Sequence, residues 1–362
     1  MGVARSRDVI LPGAAIGETG GMARCIDWRD GAVLLVDQTL LPDEERWLRI
    51  TDVDTLVGCI ARLAVRGAPA LGAAGALGVA LAAAGSPDPA TVAAAAERIR
   101  TARPTAVNLG RGVDRALARL AAGPDAVLAE ARAVVEEEAA SSWAIGQRGA
   151  DLLGDLCPPR PLRILTHCNT GWLATVEWGT ALGVVTVLHQ RGRLDRVYAD
   201  ETRPLLQGSR LTAYELARLG ADFRVVVDGA APSLLARGLV DAVLVGADRV
   251  AANGDVANKV GTYPLALAAA RAGLPFVVAA PESTVDGDTP TGDAVPIEER
   301  DPTEVAPAGI PAYNPAFDVT PHDLVTAIVT DRRIIRPNDT DQERPCPAPA
   351  TSPTPSCPAT RP

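Results

Sequence analysis

Arg163-Ile164-Leu165-Thr166-His167-Cys168-Asn169-Thr170-Gly171 is a short apolar run that breaks into a polar turn ending on glycine. Such a run reads as a buried strand, and the turn as the loop beyond its carboxyl end. The figure returns at Arg196–Ala199, Phe223–Val227, Ala242–Val245 and Phe276–Ala279. Between these runs the apolar residues take helical spacing, over Leu173–His189, Arg210–Leu219, Ala231–Arg237 and Tyr263–Ala272. Strands alternating with helices predict βαβ units and a parallel sheet covered on both faces.

The first half of the chain has a different rhythm. Ala32–Val36 and Trp47–Ile50 flank a turn at Leu41-Pro42-Asp43-Glu44 and predict a small antiparallel element. Asp52 and Asp54 then open a helix expected to run to Gly67. Further helices are expected over Ala73–Ala84, Pro89–Arg100, Val113–Ala122 and Asp125–Leu153. Gly72, Gly75 and Gly78 suit close helix packing. The fold class is therefore α/β: a mainly helical N-terminal domain with a small antiparallel sheet, then a Rossmann-like parallel-sheet domain. Four segments follow: an arm over residues 1–20, a helical domain over 21–157, a catalytic domain over 158–336, and a tail from 337 to 362. Eight of the 30 prolines fall in that tail, which offers little to bury and reads as disordered.

Composition narrows the function classes. Aromatic residues are 3% of the chain, so the core is built from Ala, Val, Leu and Ile. There is no strongly hydrophobic run of membrane length; the most apolar stretch, Ala68–Ala84, is mostly Ala and Gly. A net charge of −9 argues against a nucleic-acid partner and requires any anionic substrate to find a locally basic pocket. The six cysteines have no paired spacing, and the three histidines are scattered. Neither a disulfide framework nor a metal site is expected, and the compartment reads as cytoplasmic. The glycine-rich signatures of the common nucleotide sites are missing, which disfavours a nucleotide-dependent dehydrogenase.

In open parallel sheets ligands bind beyond the carboxyl ends of the strands. Those ends carry Cys168, then Asp200–Pro204 with Gln207, then Asp228-Gly229, then Asp248-Arg249 with Asn253–Asp255, Asn258 and Lys259, then Pro281–Thr284. Cys168 is the only cysteine at a strand end. A following helix N-terminus would stabilise its thiolate, while a small buried hydrophobe is the plainer reading. Asp248 follows an apolar strand, where desolvation raises a carboxyl pKa and suits a general acid; pairing with Arg249 is its structural alternative. Arg66 and Arg103 sit at expected helix ends, as phosphate clamps or simply as solvated arginines.

Together these segments resemble the S-methyl-5-thioribose-1-phosphate isomerases of methionine salvage. The resemblance rests on Val65–Gly72, Arg103–Leu109, Thr166–Gly171, Glu201–Pro204 with Gln207-Gly208, Gly246–Asp255, Asn258–Tyr263, Ile297–Pro302 and Asn314–Thr320. It implies Cys168 and Asp248 as the catalytic pair. It also implies Arg66, Gly67, Ala68, Arg103, Gln207, Asn258 and Lys259 as ligands of a sugar phosphate. No cofactor or metal is implied; a homodimer is. The wider family includes isomerases of related pentose phosphates (5-deoxyribose 1-phosphate, ribose 1,5-bisphosphate) and non-catalytic regulatory subunits of a translation-initiation exchange factor. Gly229, Gly110 and Trp172 depart from the usual pattern and bear on the sugar's 5-substituent.

Overall fold

The computed structural model describes residues 24–103 and 106–338. The expected arm over residues 1–20 and the tail from residue 339, with Cys346 and Cys357, lie outside the described residues. Ile26–Arg29 (β1), Ala32–Val36 (β2) and Trp47–Ile50 (β3) form an antiparallel sheet with β2 central. The sequence reading missed β1, which turns into β2 through Asp30-Gly31, both at positive φ. An Asp-Gly pair is the standard signal for such a hairpin turn.

Val53–Ala61 (α1) is capped by Asp52, whose carboxylate accepts from the Thr55 backbone N–H at 2.8 Å. It stops well short of the expected Gly67, because Leu63 takes φ 65 and Ala64 and Val65 bury as irregular chain. Arg66-Gly67 therefore opens the next helix, Ala68–Gly85 (α2), rather than closing the last. Pro89–Thr101 (α3), Val107–Leu117 (α4) and Pro124–Leu156 (α5) follow, with α4 starting before the expected Val113. By length and composition α2 would pass for a membrane span, unlike the sequence expectation, but 83% of it is buried inside the protein. Glycine lets its neighbours close in: a Cβ on Gly75 would lie 2.5 Å from the Leu109 carbonyl oxygen, and one on Gly112 2.0 Å from that of Gly72.

The second half runs Leu162–Thr166 (β4), Ala181–Gln190 (α6), Leu194–Asp200 (β5), Ala213–Leu219 (α7), Phe223–Val226 (β6) and Ala231–Ala236 (α8). It continues with Ala242–Val245 (β7), Arg249–Ala251 (β8), Val256–Lys259 (β9), Thr262–Ala272 (α9) and Phe276–Ala279 (β10). Val285–Asp286 (β11), Phe317–Thr320 (β12), Ala327–Val329 (β13) and Ile334–Ile335 (β14) complete it. The main sheet has the order β14-β13-β10-β7-β4-β5-β6 and is parallel except for β14. All five expected strands lie in it. A second sheet, β11-β8-β9-β12, was not foreseen; it stands beyond β7 and carries Asn258 and Lys259.

Alternate side chains of the main sheet feed opposite cores, as strand geometry requires. Ile164, Ala242, Leu244, Val277 and Ala279 pack with α6 and with Ile145–Leu153 of α5. Leu165, Val243, Val245 and Val278 pack with α8 and α9. A third core gathers β1–β3, α1–α4 and the front of α5. Thus α5 contributes to two cores. The start of the expected tail is also part of the fold: Pro337 lies under Gly254, and Asn338 donates to the Asp323 carbonyl.

Candidate active site

The chain leaves β4 for β5 on one side and places β7 on the other, so the strand order reverses between β4 and β7. That switch point opens a crevice at the strand carboxyl ends. Cys168 follows β4 and Asp248 follows β7. Two lobes of one cleft, of about 410 and 570 Å³, meet there and share Gly67, Ala68 and Asp248. Cys168, Arg66, Asn258 and the threonines Thr170 and Thr180 line the first lobe. Arg103, Asn108 and Arg249 line the second, with an apolar wall of Leu71, Val107, Val295, Pro296 and Phe317.

Cys168 stands at φ 65, a left-handed conformation that non-glycine residues seldom adopt. Its backbone N–H donates to Thr202 Oγ1 at 2.9 Å, and its carbonyl accepts from Thr212 Oγ1 at 2.7 Å. The expected helix over Leu173–His189 begins only at Ala181, so no helix N-terminus sits directly behind the thiol. Trp172, Leu173 and Val176 instead join the N-terminal core, and Cys25 and Gln38 bind the backbone carbonyls of this segment. Tertiary packing overrides the helical spacing.

Asp248 lines both lobes, and its side chain is exposed to the cleft. Burial pushes its carboxyl pKa up, against the pull of Lys259, Arg103 and Arg66. The alternative pairing with Arg249 does not form: that guanidinium goes to Asp286 at 3.3 Å and to Thr289. Among the described residues Asp248 has no ion pair within 4 Å. Lys259 is buried, with Nζ donating to the Ala316 carbonyl at 2.8 Å and lying 4.7 Å from the Phe317 ring centroid. Burial lowers its pKa, while Cys168 and Asp248 oppose that shift. Arg103 is likewise lowered by burial, with Glu298 and Asp248 supporting its charge.

Gly67 takes φ 95 at the start of α2, where a Cβ would fall 2.1 Å from the Ala174 carbonyl oxygen. The Ala68 N–H at this helix start faces the cleft without a hydrogen-bond partner among the described residues. It is the one helical donor left there, since Pro69 has no N–H and the Ala70 N–H goes to the Ala174 carbonyl. A free N–H at a helix N-terminus favours an anion. Arg66 holds Asn169 by two bonds, 2.8 Å to Oδ1 and 2.6 Å to the carbonyl oxygen. Asn258 donates to Thr262 Oγ1 at 3.0 Å. Gln207 does not line either lobe, although it is buried and its Oε1 lacks a partner among the described residues.

Sequence reading passed over Glu215 and Thr212, which hold the Cys168 loop from a helix and its approach; they follow no strand end and carry no motif. Thr202 and Arg300 lie in segments that the sequence singled out, but no role was read for them there. One metal-capable group occurs among the described residues, His167, Asp200 and Asp228. His167 Nε2 meets the Val260 carbonyl at 2.8 Å and Nδ1 meets Asp200 at 2.9 Å, so both ring nitrogens face acceptors. Burial opposes charge on this imidazole, but its bond to Asp200 prevails and raises the pKa. A metal would have to break that pair.

Fold and site together define an α/β protein whose switch-point crevice gathers a carboxyl, a thiol and arginines at one cleft. The chain belongs to the initiation factor 2 subunit family, which matches residues 64–337. It is 53% identical over 323 residues to a probable bifunctional methylthioribose-1-phosphate isomerase/methylthioribulose-1-phosphate dehydratase of Nocardia farcinica, covering 86% of this chain and 58% of that protein. It is also 53% identical to the methylthioribose-1-phosphate isomerase of Anaeromyxobacter sp. strain K (86% and 92% covered). A 5-deoxyribose 1-phosphate isomerase of Moorella thermoacetica is 48% identical (86% and 94%). The crystal structure of 5-methylthioribose 1-phosphate isomerase from Pyrococcus horikoshii superposes with a TM-score of 0.81 at 38% identity, covering 87% and 93%.

Proposed function

We propose that this chain is an aldose–ketose isomerase that converts 5-methylthioribose 1-phosphate into 5-methylthioribulose 1-phosphate, a step of methionine salvage. The observation that carries the reading is Asp248: a carboxyl with raised pKa and no ion-pair partner among the described residues, in the same lobe as Cys168 and in the field of Lys259, Arg103 and Arg66. In this reading the sugar phosphate lies between the start of α2 and β9. Arg66, Gly67, Ala68, Arg103, Asn258 and Lys259 receive the phosphate and sugar, while Gln207, which lines neither lobe, stands behind them. The apolar wall of the second lobe suits an uncharged 5-substituent better than a second phosphate.

The phosphate on O1 blocks ordinary opening to a free aldehyde, so the ring must open with it attached. Neutral Asp248 protonates the ring oxygen as the C1–O bond breaks. Thiolate Cys168 removes the C2 proton, leaving an enol phosphate across C1 and C2. Asp248, now ionised, takes the O2 hydroxyl proton as Cys168 returns a proton to C1. The product is the ketose 1-phosphate, with both side chains restored. The second route is a direct hydride shift from C2 to C1, with Cys168 shaping the pocket.

The same reading takes the chain as a cytoplasmic homodimer needing no cofactor, with its catalytic unit beginning near Pro158. The test is turnover of three substrates: 5-methylthioribose 1-phosphate, 5-deoxyribose 1-phosphate and ribose 1,5-bisphosphate. The first should have the highest kcat/KM. Preference for either of the others reassigns the substrate, and no turnover of any leaves a binding protein.

A further inference from the structure

We infer that Glu215 is a positioning residue of this site, holding Arg66 in its ligand-facing pose through the side-chain amide of Asn169. The inference rests on the reading of Arg66 as a phosphate ligand. Glu215 is buried on α7 beneath the Cys168 loop; a Cβ on Gly171 would lie 1.8 Å from its Oε2, so only glycine lets the loop cross the carboxylate. Glu215 Oε1 accepts from Asn169 Nδ2 at 2.7 Å, and Oε2 from the Trp172 backbone N–H at 2.8 Å. The other Asn169 N–H lies 3.3 Å from Thr212 Oγ1. With both amide donors directed to α7 and its approach, Asn169 Oδ1 is left facing Arg66.

Arg66 spends one N–H of each terminal nitrogen on Asn169, leaving three of a guanidinium's five donors for a ligand. The chain of polarity therefore runs one way: Arg66 donates to Asn169, and Asn169 donates to Glu215. Burial pushes the Glu215 carboxyl up to about 7, and the Asn169 and Trp172 donors, with Arg66 beyond them, hold it down. Thr212 Oγ1, whose proton goes to the Cys168 carbonyl, accepts only the longer bond at 3.3 Å, and the donor-only Arg66 suits the same orientation. The Glu215 carboxylate, at 2.7 Å, is the strongest acceptor the Asn169 amide meets and the main determinant of which way it points.

Reversing the polarity tests this. In Glu215→Gln the side chain must keep an oxygen toward Trp172 and turns its NH₂ onto Asn169 Nδ2. The Asn169 amide then flips and sets a donor against Arg66. In Asn169→Asp two carboxylates face each other. The double variant Glu215→Gln/Asn169→Asp restores every donor–acceptor pairing between these residues with the same net charge.

KM and kcat for 5-methylthioribose 1-phosphate are measured in wild type, Arg66→Gln, both singles and the double, alongside calorimetric titration with inorganic phosphate. Each single should raise KM by about tenfold or more, as Arg66→Gln does, with kcat changing less; the double should recover most of that loss. A Glu215→Gln protein with unchanged KM, or a double no better than its singles, overturns the inference. Should Glu215→Gln fail to fold, Asn169→Asp and the double close the same comparison. If wild type does not turn the sugar over, the functional reading fails by itself. The phosphate titration then decides: equal affinity in wild type and variants, or none in wild type, overturns the positioning role.

Discussion

Leu165 is the Cα partner of Val243 across the parallel pair β4–β7, so the two strands end level and release Cys168 and Asp248 into the same crevice. The loops leaving neighbouring parallel strands diverge only at the switch point, which is where the chain reverses its strand order. The proposed chemistry depends on that coincidence.

Asp248→Asn should lower kcat by about 10²–10⁴, the range of a positioned general acid. It should also change the pH profile. Burial raises the Asp248 pKa, so the acid form persists to higher pH than for an ordinary carboxyl, and activity falls as pH rises through that pKa. The variant should lose this falling limb in kcat/KM. A falling limb that survives the substitution assigns the acid elsewhere.

Lys259 lies in the same field. Removing its charge takes away the largest influence opposing the raised pKa of Asp248. Lys259→Met should therefore move the falling limb to higher pH while raising KM by about tenfold through the lost phosphate contact. The two effects are read from one set of pH-dependent rates. A limb that moves down, or does not move, contradicts the proposed coupling.

Cys168→Ala should cost a similar factor in kcat if the thiolate moves the C2 proton. Substrate carrying deuterium at C2 separates the two routes. Label lost to solvent during turnover supports proton transfer, whereas full retention at C1 supports the hydride shift and reduces Cys168 to a wall of the pocket.

Much of this arrangement was legible in the chain, for physical reasons. The inner strands β4, β7 and β10 are short aliphatic runs buried on both faces, and the polar exits of β4 and β7 named Cys168 and Asp248. Asn258 and Lys259 were named a few residues further on, although they stand on β9. The second sheet was not legible, because β8, β9, β11 and β12 are too short and mixed to show a period of two. The loop after Cys168 misled in the other direction. Trp172, Leu173 and Val176 have helical spacing, but they serve a core on the far side of the cleft. Glu215 was invisible because its partners, Asn169 and Trp172, come from a distant part of the sequence.

Gly67 links fold and site at one position. Its φ of 95 and the Ala174 carbonyl lying 2.1 Å from any added Cβ make Gly67→Ala a backbone conflict rather than a packing adjustment. We expect destabilisation of about 1–3 kcal/mol in urea unfolding, together with a raised KM, because the start of α2 must shift. Ala68→Gly adds no bulk and serves as the control. A Gly67→Ala protein with wild-type stability and KM would remove this helix start from the proposed phosphate site.

Asp255 shows a strand-end polar residue that serves the fold instead. Its carboxylate accepts from the Gly292 and His322 backbone N–H groups at 2.9 Å each, from Asn253 Nδ2 at 2.8 Å, and meets His322 Nδ1 at 2.8 Å. Burial acts against its charge, but these donors prevail and hold the pKa at about 2, below the ordinary 3.8. A depressed carboxyl contributes stability above its unfolded pKa and loses it as pH falls through the folded one. The contribution, about 2 kcal/mol for a shift of this size, is therefore present at pH 6 and disappears between about pH 4 and 2. Unfolding free energies of wild type and Asp255→Asn should differ most near pH 6 and converge toward pH 2. A difference that stays constant across that range would mean that the loss comes from the Asn253 and His322 contacts themselves rather than from the charge.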